Sequence, residues 1–179
     1  MRLVRRIAVA LSTVIWLLIS PAEAQDLENT LYMDLESGRV VIELRPDLAP
    51  KHVARIKELA REGFYDGVVF HRVIPGFMAQ TGDPTGSGRG GSDKPDLPAE
   101  FSSEPFERGT LGMARTMDPN SANSQFFINY ARTAHLDGQY TVWGEVVEGM
   151  EHVDQIAKGE PPRNPDKIVK LQVAADAEG

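Results

Sequence analysis

Phe70-His71-Arg72-Val73-Ile74-Pro75-Gly76-Phe77-Met78-Ala79-Gln80-Thr81-Gly82-Asp83 is the stretch from which the rest of the chain can be read. Aromatic and β-branched residues flank the Pro75-Gly76 turn signal, which reads as strand, turn, strand. In a period-two reading Arg72 shares a parity with Met78 and Gln80, although the bend at Pro75-Gly76 interrupts strict alternation. Arg, Met and Gln on one face, with Phe77 nearby, make a poor packed core. They suit an apolar site that holds one fixed cation. Composition alone favours an ordinary exposed arginine beside a strand, because Arg is mostly a surface residue.

On the N-terminal side, residues 64–73 read as two strands around Asp66-Gly67. Residues 46–62 change period: Ala49, Val53, Ile56 and Ala60 fall on one helical face, with Asp47 as a candidate cap and Gly63 as a stop. Residues 31–35 and 40–44 read as a hairpin about Ser37-Gly38. On the C-terminal side, residues 82–98 are rich in Gly, Pro, Ser and Asp and read as a loop. Residues 111–114, 125–129, 142–147 and 168–173 are further short strands, and 150–157 a short helix. Many short strands with turns between them and two helices predict a mainly β fold, a closed antiparallel barrel. A closed barrel has no free edge, which predicts a monomer.

The second informative stretch is Ser124-Gln125-Phe126-Phe127-Ile128-Asn129. Successive side chains of a strand point to opposite faces, so one phenylalanine fills the core and the other lines the far side. Burial of both beneath loops is the equal alternative.

Other chemistries lack their apparatus. The chain has no cysteine, hence no disulfide and no thiolate. Its four histidines, His52, His71, His135 and His152, show no metal-ligand spacing. No Ser lies in a nucleophile-elbow pattern. Gly86-Ser87-Gly88-Arg89-Gly90-Gly91 matches a dinucleotide fingerprint, but the proline-rich residues after it cannot open the helix that motif requires. No cofactor and no metal are expected. The net charge of −7 with scattered basic residues argues against nucleic acid.

The N-terminus reads as a secretory signal. Arg2, Arg5 and Arg6 precede 13 uncharged, mostly apolar residues, 7–19, and Pro21-Ala22-Glu23-Ala24 supplies a small-residue cleavage site. The run is short of the ~20 residues of a membrane span, so cleavage after Ala24 is expected rather than an anchor. Residues 1–24 are then the signal and 25–179 one domain. Its loss removes three Arg and one Glu, leaving 16 basic and 25 acidic residues and a net charge of −9. That suits a soluble protein of the periplasm, with no stable membrane insertion.

Taken together, the motifs FHRVIPGFMAQTGD, SQFFIN and LDGQYTVWGEV, with Phe64-Tyr65-Asp66-Gly67 before the first, resemble the cyclophilins over nearly all of residues 28–173. The resemblance implies an eight-stranded barrel capped by two helices, with peptidyl-prolyl cis-trans isomerase activity in a groove on its outside. It implies catalysis by Arg72 and a proline pocket of Phe77, Met78, Phe127 and Leu136. Gln80 and Gln125 would make polar contacts, and Ala114 would lie along the bound peptide. The implied partners are proline-containing segments of exported proteins during folding. Three positions depart from the common pattern. His135 replaces a Trp on which cyclosporin binding in the family partly depends, Tyr140 replaces a frequent His, and Arg115 replaces an Asn that binds peptide backbone. A non-catalytic binding module is the alternative, but such degenerate relatives usually lose the Arg or the Phe retained here.

Overall fold

A computed structural model describes residues 26–177. The signal segment expected at 1–24 lies outside the described residues. Eight strands form one antiparallel sheet: β1 Thr30–Leu35, β2 Gly38–Leu44, β3 Arg72–Ile74, β4 Met78–Thr81, β5 Thr110–Met113, β6 Phe126–Asn129, β7 Val142–Glu148 and β8 Lys170–Val173. Their order across the sheet is β3-β4-β6-β5-β7-β2-β1-β8. Two helices, α1 Pro50–Arg61 and α2 Met150–Asp154, accompany it. Among the described residues no helix is long and apolar enough to cross a membrane.

The sheet is a half-barrel and not the closed barrel expected. No ladder joins its edge strands β3 and β8. Loop backbone stitches the gap instead. Val73 exchanges both hydrogen bonds with Gly159 (2.8 and 2.9 Å), and Val69 bridges Lys167. The segment before β8 pairs with the segment before β3 in the same way: Phe70 N donates to Asp166 O, Gly67 N to Ile168 O and Ile168 N to Val68 O.

Helix α1 is shorter than its periodicity suggested. Asp47 does not cap it; that carboxylate receives two bonds from Arg45 (2.9 and 2.8 Å), while Pro50 opens the helix. The cap comes from far away. Glu100 accepts from the backbone N–H of Lys51 (3.1 Å) and of His52 (3.1 Å), and bonds the His52 ring at 2.6 Å. A carboxylate there satisfies orphan donors and suits the positive end of the helix dipole. Gly63, at φ +68°, ends the helix: its N–H donates to Ala60 and that of Phe64 to Leu59, the paired bonds of a left-handed C-terminal cap.

That exit corrects a second expectation. Residues 64–67 are turns and not a strand, and regular pairing begins only at Arg72. The aromatic character that suggested a strand reflects burial: Tyr65 is fully buried, packs edge-on against Phe126 and donates its hydroxyl to Ser124 O at 3.0 Å.

The main core lies on one face of the sheet, with Leu31, Met33, Ile42, Val73, Ala79, Leu111, Phe126, Ile128, Trp143 and Leu171 among its residues. A smaller cluster lies apart from it, built from Met78, Phe127 and Val142 at strand positions of the opposite parity, with Phe106 and Leu136 added from the connecting segments. Phe126 and Phe127 therefore do face opposite ways, and both are buried.

Acid should weaken this fold. Burial holds the His52 and His71 imidazoles below their ordinary 6.5, against the opposing pull of Glu100 and Asp83 respectively. Burial would raise the Glu100 carboxyl, but the bonds from the His52 ring and the helix N–H groups outweigh it and hold it below the usual 4.5. All three groups bind protons more readily in the unfolded chain, so their contribution is present at neutral pH and lost on acidification. Urea midpoints measured from pH 8 to 4 are expected to fall below about 6.5 and again below about 4.5, the ordinary values of these groups. A midpoint that rises on acidification would contradict this assignment.

Candidate functional site

The site begins with a register. The hairpin of β3 and β4 pairs Arg72 with Gln80 and Ile74 with Met78, across a three-residue loop. An odd loop keeps the two strands in phase, so the parity noted across Pro75-Gly76 survives the bend. The ladder continues from Gln80 to Phe127 on β6 and from Phe127 to Gly112 on β5. Arg72, Gln80, Phe127 and Gly112 thus form one row across four strands, on the face away from the main core.

A cavity of about 120 Å³ opens on that face. Arg72, Phe77, Met78, Gln80, Ala114, Arg115, Phe127, Leu136 and Tyr140 line it. Phe127 forms its floor, stacked on Phe106 at 5.7 Å and met edge-on by Tyr140 at 5.8 Å. Arg115 stacks on the Tyr140 ring at 4.3 Å and donates to Thr116 O and Gln139 O, both at 2.9 Å. Two expected residues stand outside this cavity. Gln125 lines an adjoining one of about 500 Å³, which shares Gln80, Ala114 and Arg115. His135 is exposed on the rim, its ring 5.9 Å from that of Phe77.

A hydrogen-bond relay runs behind the arginine. Arg72 donates to Gln80 Oε1 (3.5 Å), Gln80 donates to Gln125 Oε1 (2.9 Å), and Gln125 donates to Gly90 O (2.8 Å). The glycine-rich loop, which invited comparison with a phosphate cradle, is thus an anchor for glutamine. No helix follows it. Its shape is set by Asp83, a fully buried carboxylate that accepts from Thr85 N (2.8 Å), Thr85 Oγ1 (2.8 Å) and Ser87 Oγ (3.2 Å). Burial would raise that carboxyl, but these bonds and the N–H groups of Gly90 and Gly88 hold it well below the usual range. Gly88 packs close to the His71 ring, where an added Cβ would lie 3.3 Å from Cδ2.

The sequence reading missed three partners. Phe106 backs Phe127 from a loop with no strand signature. Gly112 is required by close approach, since a Cβ there would sit 2.4 Å from Phe127 Cζ and 2.6 Å from Phe106 Cε1. Glu160 accepts from Arg72 Nε at 2.8 Å, 88 residues further along the chain. Only the glycine between apolar neighbours in Leu111-Gly112-Met113 carried a local hint, because glycine inside a strand often marks close packing.

Among the described residues no cluster of His, Cys, Asp and Glu could hold a metal ion. What the arrangement offers is a charged, multiply donating group at the lip of an apolar slot.

A family profile described as cyclophilin type peptidyl-prolyl cis-trans isomerase matches residues 30–173. A probable peptidyl-prolyl cis-trans isomerase of Brucella suis is 58% identical over 174 residues, covering 88% of this chain and 89% of that one. The ppi1 isomerase of Schizosaccharomyces pombe is 43% identical, covering 74% of this chain and 91% of that one. Among solved structures, a cyclophilin from Hirschia baltica is similar with a TM-score of 0.78 at 31% identity, covering 84% and 76% of the two chains. A cyclophilin-type isomerase of Cryptosporidium parvum, crystallised in the presence of the dipeptide Ala-Pro, is similar with a TM-score of 0.75 at 29% identity, covering 80% and 98%.

The packing at Gly112 is directly testable. Gly112→Ala must displace the Phe127 ring, an overpacking change expected to cost about 1–3 kcal/mol. Chemical denaturation should show that loss, and the Phe127 ring resonances should shift. An unchanged ring environment would refute the close approach.

Proposed function

The chain belongs to the cyclophilin family of peptidyl-prolyl cis-trans isomerases, and we propose that the groove at Arg72 is where it turns X-Pro bonds. Such a bond rotates slowly because its partial double bond must be lost, with a barrier of about 18–20 kcal/mol. At the twisted transition state the prolyl nitrogen regains a lone pair. A donor aimed at that lone pair stabilises the twist more than the planar ground state, and the difference is catalysis.

Arg72 supplies the donor. It is always charged and presents five N–H groups in a rigid fork. The observation that carries this reading is its position on the lip of the apolar cavity, with Gln80 opposite it in the ladder. Phe77, Met78, Phe127 and Leu136 hold the pyrrolidine ring while the residue before proline rotates. Gln80 orients the guanidinium, and Gln125 orients Gln80. Ala114, Arg115 and Tyr140 border the path of the peptide. The chemistry needs no proton transfer, nucleophile, metal or cofactor.

The clients we assign are proline-containing segments of exported proteins, met in the periplasm after cleavage behind Ala24. Support comes from the three-part signal in the sequence and the net charge of −9 that its removal leaves. A monomer is expected, because backbone at Gly159 covers the open edge of β3 and the Asp66 carboxylate accepts from Leu171 N on β8. The position of His135 supports weak cyclosporin binding: a small imidazole stands on the rim, 5.9 Å from the Phe77 ring, where the family resemblance implies an indole in many members.

Two outcomes check this reading. Arg72→Ala should lose roughly 10²–10³-fold in kcat/KM, the usual effect of removing one aimed donor, with an unchanged circular dichroism spectrum. Full activity in the folded variant removes Arg72 from the mechanism. Separately, His135→Trp should lower the cyclosporin concentration needed for half inhibition, and equal potency in both proteins would refute the role given to His135.

A further inference from the structure

We infer that Glu160 is a positioning residue for the reaction, holding the Arg72 guanidinium so that its remaining donors face the proline slot. This rests on the assignment of Arg72 made above.

The guanidinium is held from two sides. Nε donates to Glu160 Oε2 at 2.8 Å, and one terminal nitrogen donates to Gln80 at 3.5 Å. Held by a short bond at Nε and a long one at a terminal nitrogen, the planar fork is restricted about its last torsions. The donors that remain, on the two terminal nitrogens, are those available to a peptide. Neither partner alone achieves this. The Gln80 contact is long, and the arginine side chain is 41% exposed, so without the carboxylate it is free to sample solvent.

The fold places Glu160 deliberately close. Gly159 exchanges two backbone bonds with Val73, the residue next to Arg72, so the segment is fastened to the open edge of β3. Gly159 has φ +147°, and a Cβ there would lie 2.7 Å from Pro162 Cα, so only glycine fits the turn that delivers the glutamate. The backbone fastening is independent of the Glu160 side chain, which is 52% exposed. A pair this open contributes little to stability. Its consequence is therefore sought in the reaction.

The test compares wild type, Glu160→Ala, Glu160→Gln, Arg72→Ala and the double alanine variant, reading kcat, KM and the Arg72 Nε–H resonance. Glu160→Ala should lower kcat roughly tenfold with KM little changed, as loss of an interaction needed only in the transition state does. Its thermal midpoint should stay at the wild-type value. The Nε–H resonance, sharp in wild type, should broaden by exchange with water. Glu160→Gln, which keeps an oxygen acceptor of the same reach, should recover most of the lost rate. In the Arg72→Ala background the second alanine should have no further effect. If Arg72→Ala is inactive while Glu160→Ala turns over at the wild-type rate, the inference fails and the assignment of Arg72 stands. If Arg72→Ala is fully active, that assignment fails first. A rate increase in both Glu160 variants would also overturn the inference, showing that the carboxylate merely dampens the cation.

Discussion

Registration of four short strands is the constraint on which everything else rests. Arg72 opposes Gln80, Gln80 opposes Phe127, and Phe127 opposes Gly112. Slippage by one residue in any ladder would carry its side chains to the other face. The arginine would then be driven into the main core, and Phe127 would leave the slot. The register is protected by burial: Val73, Ala79, Ile128 and Leu111 occupy the core face of the same strands and are each fully buried. Core packing on one face thereby sets geometry on the other.

A second layer of order comes from loops, and it is electrostatic more than apolar. Asp83 is fully buried yet remains ionised, because the donors of the 85–90 segment converge on it. That converts a glycine-rich loop into a fixed frame, whose carbonyls in turn fix Gln125. Glu100 plays the equivalent part for α1, capping a helix from 48 and 49 residues away. Both carboxylates are held below their ordinary range, so both frames are strongest where the carboxylates are charged.

What the sequence made legible follows from how local each signal was. The parity of Arg72, Met78 and Gln80 and the opposed faces of Phe126 and Phe127 depend on spacing within a strand, and both hold in the structure. The strand expected from Phe64 fails because aromatic residues report burial, and burial at Tyr65 is met by a turn. Closure of the barrel fails because strand content says nothing of whether the last two edges meet, and here β3 and β8 are joined only through the loop segments that precede them. Phe106, Glu160 and the Gly90 carbonyl reach the site across 21, 88 and 35 residues, from Phe106 to Phe127, Arg72 to Glu160 and Gln125 to Gly90. No periodicity encodes such contacts, since they are decided only when the chain has closed on itself.

A carboxylate beside the cation proposed to act on the peptide looks self-defeating, because it lowers the field that the cation presents. The magnitudes resolve this. Both groups are about half exposed, so their net attraction is that of a solvent-screened pair, about 0–1 kcal/mol. A direct hydrogen bond from the guanidinium to a transition-state lone pair is worth about 2.7–4 kcal/mol, but only while the donor points at it. Direction falls off within tens of degrees, whereas the field lost to a neighbour is partial and uniform. At the rim of an open groove, where nothing else encloses a long flexible side chain, orientation is the scarcer quantity, and surrendering some charge to secure it is the favourable exchange.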